Sequence, residues 1–501
     1  MAAMQLKQLL NHLPALKIEG SVEREVTGIA YDSRRVTPGS VFIALPGHNV
    51  DGYSFISAAL ERGAAAIISE KNGFSASTAT RVKVADARLA LAAAAAAYHQ
   101  YPSRKLRVVG VTGTNGKTTV TYMLKQILEA SGVRTGLLGT VCYEIGERVI
   151  PAQRTTPEAL DLQDMLAQML RAGCGACVME VSSHALEQQR VREVEFDLGV
   201  FTNLTRDHLD FHGSMENYFA AKSKLFTALE QGSKPGVAVI NSDDPFGARL
   251  VQEHSFKRLL TYGLNDAAEV RAAQIAFGKD GTRMIIQAGG QSFPCRLPLI
   301  GRHNVYNALA AVAAALGLEV ELPAVQQALN AMRAAPGRLE PIALGQPFPI
   351  FVDYAHTEDA LRNVLRTLRE LAGGRLLLAF GCGGSRDVGK RARMGAVAAE
   401  LADLTIITTD NPRKEQPAQI AAQVEAGYLA VRADGCQVEL DRRRAIDQLI
   451  RLAQPNDTVL IAGKGHETYQ EFSDTIVPFD DREYARETLT ALGFGRKAGA
   501  R

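Results

Sequence analysis

Short apolar runs rich in β-branched residues alternate along almost the whole chain with longer stretches whose apolar residues recur every three or four positions. Near the N-terminus VTGIAYDSR, SVFIALPG, AAAIIS and RVKVA predict strands, and LALAAAAAAYHQYP predicts an Ala-rich helix closed by Pro102. From Leu106 a strand LRVVGV, a polar loop TGTNGKT and a helix TVTYMLKQILEASG follow one another; CVMEVS, DLGVFTNLT and GVAVIN then repeat the strand pattern between helical stretches. Such alternation implies right-handed parallel crossovers and one doubly wound sheet. After Gly337 it resumes in PIFVDYAHTEDALRNVLRTLREL, RLLLAFGCGG, LTIITTDNPR and TVLIAGKGHE, each apolar run ending in a polar or Gly-rich loop. The predicted class is α/β in three domains: a small N-terminal α/β unit over 1–101, a central doubly wound domain over 102–338 and a C-terminal Rossmann-like α/β domain over 339–501. Ligands of open α/β sheets bind outside the carboxyl ends of the strands, where these loops fall.

Composition narrows the partners. At roughly 100 to 200 residues per domain, the 501 residues fit two to four domains. The 56 Lys plus Arg nearly balance the 54 Asp plus Glu, so the net charge of +2 gives no overall reason to expect nucleic acid or an anionic membrane. Any anion site is local. The N-terminus lacks a basic segment followed by an unbroken apolar run, and no stretch of about 18 apolar residues occurs, so a cytoplasmic location is expected. Six Cys are too sparse for a disulfide scaffold, and Cys174 and Cys177 form a lone CxxC without the second pair of a zinc site.

The chemistry concentrates in loops. Gly113, Thr114, Asn115, Gly116, Lys117, Thr118 and Thr119 lie between a strand and a helix, where backbone N–H groups and the helix dipole favour phosphate. Lys117 suits the β and γ oxygens and Thr118 suits Mg²⁺, a P-loop-type arrangement, although the strict spacing asks for Gly where Val111 stands. Glu180 ends the strand CVMEVS, and Asp207, His208, Asp210 and His212 follow the strand of DLGVFTN, so both groups can converge on the loop. By itself Lys222, beside Lys224 in MENYFAAKSKLFTAL, reads as a solvated helix charge.

Taken together, these residues resemble the Mur ligases, the ATP-dependent amide-forming enzymes of peptidoglycan precursor synthesis. The resemblance spans YDSR and LPGHNVDG, then GTNGKTT, TTPE, MEVSSH, NLTRDHLDFHG, AAK and GRHNVYNALAA, then GRLE, VDYAHTEDAL, DNPR and GKGHE. It is strongest to the branch that adds meso-2,6-diaminopimelate to UDP-N-acetylmuramoyl-L-alanyl-D-glutamate, because DNPR is the motif associated with diaminopimelate rather than lysine. The resemblance implies that Tyr31, Ser33, His48, Asn49 and Val50 hold the uridine end. It places Arg154, Thr155, Thr156, Ser182, Gln188 and Arg190 at the muramoyl dipeptide, with Arg154 standing where many relatives have Asn. It makes Glu180 and His208 magnesium ligands with Thr118, and Lys222 a carbamylated lysine. Asn304, Asn307, Arg338, Asp353 and His356 would surround ATP, although the two Asn could instead cap the following helix. Arg386, Asp410, Asn411, Pro412, Arg413, Gly463 and Glu467 would line the diaminopimelate pocket, where Arg413 suits a carboxylate and Glu467 an ammonium.

The implied reaction runs through an acyl phosphate, with ATP and Mg²⁺ as cofactors, in a monomer that contacts neither nucleic acid nor membrane. Closure of the third domain on the second, hinged near residues 101 and 338, is expected to exclude water. Three alternatives remain: an L-lysine-adding Mur ligase, a ligase like folylpolyglutamate synthetase, and a non-enzymatic P-loop regulator.

Overall fold

The computed structural model describes residues 4–47, 51–71, 79–278 and 281–495; His48, Asn49 and Val50 lie outside them. Three large sheets follow one another along the chain. The first has five strands, in the order Ala15–Glu19, Thr80–Val84, Ala66–Ser69, Ser40–Ile43 and Gly28–Ala30, all parallel except the first pair. The helix Ala87–Tyr98 covers it; small alanines let that helix approach the strands closely, and all eight of its alanines are buried.

The second sheet has eleven strands. Its parallel centre is Thr135–Leu138, Ala176–Glu180, Arg107–Thr112, Leu198–Phe201, Val237–Asn241 and Arg258–Gly263, in that spatial order. Val, Ile, Leu and Phe dominate these strands because helices cover both faces. To this parallel centre, which the strand–helix alternation implied, antiparallel strands are added at both edges. Cys142–Ile145 and Arg148–Pro151 add an antiparallel hairpin at one side, and Val270–Gly278, Gly281–Ala288 and Gln291–Leu297 an antiparallel meander at the other. Alternating exposure along the meander shows one face packed and one solvated, which a parallel centre strand does not allow.

The third sheet has six strands in the order Glu340–Ile342, Ile350–Asp353, Thr458–Ala462, Leu376–Phe380, Leu404–Ile407 and Cys436–Val438, parallel after the first pair. A separate hairpin, Tyr469–Phe472 with Thr475–Pro478, stands beside its carboxyl edge. Beneath that edge Arg442 and Asp481 form a pair with no exposed side-chain surface, Nε to Oδ1 and Nη2 to Oδ2 both at 2.7 Å. Arg442 Nη2 also donates to the Ala462 carbonyl at 2.9 Å, so the pair ties a helix to the end of the strand that leads into GKGHE. Asp481→Ala strands a buried guanidinium, and calorimetry should show a loss of about 3–5 kcal/mol in the stability of this unit.

All six cysteines are free thiols. No helix among the described residues is long and apolar enough to cross a membrane.

Candidate active site

The loop after Arg107–Thr112 is shaped by two glycines. Gly113 has φ of +145°, and a Cβ there would stand 1.9 Å from Thr202 Oγ1. Gly116, at φ of +90°, immediately precedes the helix Lys117–Ala130. Val111 lies inside the strand, fully buried and paired with Glu180, so the turn begins only at Gly113 and no glycine is needed at 111. Lys117 folds back on the loop, donating to the carbonyls of Gly113 at 2.9 Å and Thr114 at 2.8 Å. Burial pushes its pKa down.

Thr118 Oγ1 donates to Glu180 Oε1 at 3.0 Å and accepts from Arg338 Nη2 at 3.0 Å. Glu180 also accepts from the Thr140 backbone at 2.8 Å and hydroxyl at 3.0 Å. Hard oxygen donors therefore cluster at the head of the phosphate loop. Among the described residues no three His, Cys, Asp or Glu side chains are placed to hold a metal by themselves. His208 sits outside this oxygen cluster in a left-handed backbone conformation, with Nε2 3.4 Å from Asp207 and its ring 4.9 Å from that of His184. Burial pushes its pKa down.

The bland reading of Lys222 fails. Its side chain is buried, Nζ donates to the Gly113 carbonyl at 2.8 Å and lies 4.6 Å from the centre of the Tyr218 ring, whereas Lys224 is exposed and pairs with Glu187. Burial, and secondarily Lys117, pushes the Lys222 pKa well down, favouring the neutral amine. Tyr218, absent from the sequence-based set, connects the pieces: its hydroxyl lies 3.2 Å from Thr114 Oγ1 and its ring packs near His208. Helical spacing was the available signal, since Tyr218, Lys222, Leu225 and Phe226 share one buried face.

On the other side of the loop a cavity of about 580 Å³ is lined by residues of the second and third sheets, including Asn115, Gly116, Thr119, Asn304, Asn307, Arg338 and Asp353. Neither Asn caps the helix Arg302–Gly317, which corrects that expectation: the capping position is Gly301. Asn304 instead donates to the Ile300 carbonyl at 2.9 Å, and Asn307 donates to Asn304 Oδ1 at 3.1 Å. Asp353 accepts from the backbones of Leu339 at 2.6 Å and Ala355 at 2.8 Å, and burial raises its pKa. His356 is held by the Tyr354 carbonyl at 2.9 Å, and burial pushes its pKa down to about 4. Asp359 reaches across to the loop, accepting from Asn115 Nδ2 at 2.8 Å and Thr205 Oγ1 at 3.2 Å.

The dipeptide candidates adjoin Glu180. Thr156 Oγ1 donates to the Glu180 carbonyl at 2.8 Å and accepts from the Ser182 backbone at 3.0 Å, while Thr155 and Thr140 hydroxyls lie 3.1 Å apart. Arg190 donates to Gln188 Oε1 at 2.5 Å and pairs with Glu158 at 2.9 Å. Arg154 joins the same carboxylate at 2.5 Å, giving a triplet with one net positive charge. Tyr31 hydrogen-bonds Asp161, which also pairs with Arg35 at 3.0 Å; this links the first sheet to the helix Ala159–Arg171. Ser33 is buried at the start of the turn Ser33–Arg35.

In the third sheet DNPR and GKGHE come together. Asn411 Nδ2 donates to Glu467 Oε2 at 2.8 Å, and Asn411 Oδ1 accepts from the Glu471 backbone at 3.0 Å. Arg413, at φ of +50° after Pro412, pairs through Nε with Glu471 at 2.8 Å and donates from Nη1 to the Gly384 carbonyl at 3.0 Å. Gly463 is required at its position: φ is +110°, and a Cβ would lie 2.8 Å from Asp410 Oδ2. Arg386 is set apart, exposed beside a second cavity with His184, His212 and Lys224.

Three family models match the chain in order: the Mur ligase family catalytic domain over 25–99, the Mur ligase middle domain over 111–315 and the Mur ligase glutamate ligase domain over 337–465. The chain belongs to the Mur ligase family. It is 45% identical to the UDP-N-acetylmuramoyl-L-alanyl-D-glutamate–2,6-diaminopimelate ligase of Solibacter usitatus, covering 98% of this chain and 99% of that one. The protein of the same name from Syntrophomonas wolfei is 43% identical, over 97% and 99% of the two chains. A solved structure with that name superposes at a TM-score of 0.70, with 33% identity, 98% of this chain and 99% of the other. This Mur ligase is therefore an enzyme of the amide-forming ligase class.

Proposed function

We propose that this chain is the ATP-dependent ligase that joins meso-2,6-diaminopimelate to UDP-N-acetylmuramoyl-L-alanyl-D-glutamate in cytoplasmic peptidoglycan precursor synthesis. The observation that carries the choice of amino acid is the continuous network Glu467–Asn411–Glu471–Arg413. It presents a carboxylate and a guanidinium in one network, the complement of a distal ammonium-carboxylate centre. Lysine has no distal carboxylate for Arg413.

The D-glutamyl γ-carboxylate attacks the γ-phosphorus of ATP, releasing ADP and leaving an acyl phosphate; the diaminopimelate amine then attacks the acyl carbon and phosphate departs. Both reactants of the first step are anionic, so positive charge must be supplied where they meet. Lys117, now parked on two carbonyls, is placed to transfer its donors to phosphate oxygens. Arg338 brings a second cation to Thr118 from the end of the second unit. The oxygen cluster of Thr118, Glu180 and Thr140 fits Mg²⁺, which keeps several waters and phosphate oxygens and needs few protein ligands. When bound, Mg²⁺ supplies charge neutralisation and alignment of the triphosphate. We assign the 580 Å³ cavity to ATP and the Arg154–Glu158–Arg190 triplet to the anionic dipeptide substrate.

The neutral Lys222 amine is suited to combine with CO₂, forming a carbamate and releasing a proton. A ¹³C carbonyl resonance that appears with labelled bicarbonate and is lost in Lys222→Arg is the expected result; no such resonance in the unsubstituted protein overturns this assignment. The units 1–101, 102–338 and 339–501 are proposed as the bodies that close around the substrates, with Asp359 and Arg338 already bridging to the phosphate loop. Phosphate release from ATP and the nucleotide dipeptide should depend on meso-diaminopimelate and not on L-lysine. Release with lysine alone would keep the family and overturn the role of Arg413.

A further inference from the structure

Lys464 has no exposed side-chain surface. Its Nζ donates to Glu467 Oε2 at 2.8 Å and to Asn411 Oδ1 at 3.0 Å, and lies 3.9 Å from Asp410 Oδ1. Asn411 Nδ2 donates to the same Glu467 Oε2 at 2.8 Å. Two donors on one oxygen fix the carboxylate, and no donor among the described residues reaches Oε1. A buried ammonium is costly to desolvate, and well-packed apolar side chains usually serve stability as well. Burying a lysine here therefore points to a task in the pocket.

We propose that Lys464 is a positioning residue for the incoming amino acid: it locks Glu467 and Asn411 together so that Glu467 Oε1 faces the distal ammonium as a charged acceptor. The inference rests on the reading of Glu467 and Arg413 as the diaminopimelate pocket. Burial pushes the Glu467 carboxyl up, Lys464 pulls it down and Asp410 raises it again. The Asn411 amide also favours the ionised form, and Arg442, Tyr354 and Tyr469 are the other titratable groups that feel this carboxylate. Burial already holds the Glu467 carboxyl above its ordinary value, so loss of Lys464, the main group opposing it, makes Glu467 take up its proton at still higher pH.

Steady-state kinetics of the full chain with varied diaminopimelate test this in Lys464→Met, Lys464→Gln, Glu467→Gln and the double variant Lys464→Met/Glu467→Gln. Loss of a charge-assisted contact predicts a KM for diaminopimelate about 10- to 100-fold higher in both Lys464 variants, with KM for ATP unchanged. The acid limb of kcat/KM for diaminopimelate should move to higher pH, and the double variant should be no worse than Glu467→Gln. Lys464→Gln reads the loss of charge if the methionine variant does not fold. Unchanged KM and an unmoved acid limb, or losses that multiply in the double variant, overturn the proposal. If Glu467→Gln is impaired and the Lys464 variants are not, only the role of Lys464 falls. If Glu467→Gln itself binds diaminopimelate normally, the reading of the pocket falls and this inference with it.

Discussion

Lys117→Ala should lower kcat for diaminopimelate-dependent phosphate release by about 10²–10³-fold or more, the scale set by removing one preorganised donor from a developing anion. The lysine is half-buried at the first turn of the helix Lys117–Ala130, and its present partners are the loop's own carbonyls. Those carbonyls are weak competitors for a cation beside a triphosphate, so exchanging them for phosphate oxygens costs little reorganisation. Lys117→Arg should recover little, because a planar fork does not reproduce a compact ammonium in a closed turn. Phosphate-release kinetics, with thermal melting as a control for folding, check the outcome. A variant that folds and turns over within a few-fold of the parent would remove Lys117 from the transition state.

Arg413→Ala should reduce kcat/KM for diaminopimelate by about 30- to 1000-fold, equivalent to roughly 2–4 kcal/mol for a partly buried charge pair, chiefly through KM. The guanidinium is held in place by Glu471 and by the Gly384 carbonyl, on a backbone bent into the left-handed region after Pro412. Its removal leaves Glu471 to face the substrate's distal carboxylate, like charge against like. Discrimination against L-lysine should fall with it, because lysine loses nothing when its absent carboxylate has no partner. Competition between the two amino acids in one assay measures the change; an unaltered diaminopimelate KM would move the specificity away from Arg413.

Local pattern exposed much of this protein. The phosphate loop was legible because strand, glycines, lysine and helix are consecutive, so the turn geometry depends on neighbours only a few residues away. Glu180 and the DNPR and GKGHE loops were legible as strand ends for the same reason. The two antiparallel extensions of the second sheet were not, since an edge strand is defined by the partner it lacks on one side. Residues whose meaning lies in burial also escaped. Lys464 reads in sequence as one more loop cation, Glu471 as a surface acid and Asp359 as part of a helix's first turn.

The sequence by itself determined the α/β alternation, the location of the phosphate loop and the set of residue types needed to handle anions, all properties of short segments. Tertiary structure decided which lysine is buried against Gly113 and which is solvated, which carboxylates share a donor, and that Asp359, on a helix of the third unit, and Arg338, at the end of the second, reach the loop. Those outcomes depend on desolvation and on contacts between residues as far as 244 positions apart, as for Asn115 and Asp359. Only packing the sheets together brings such groups within hydrogen-bond range and removes the water that would otherwise screen them.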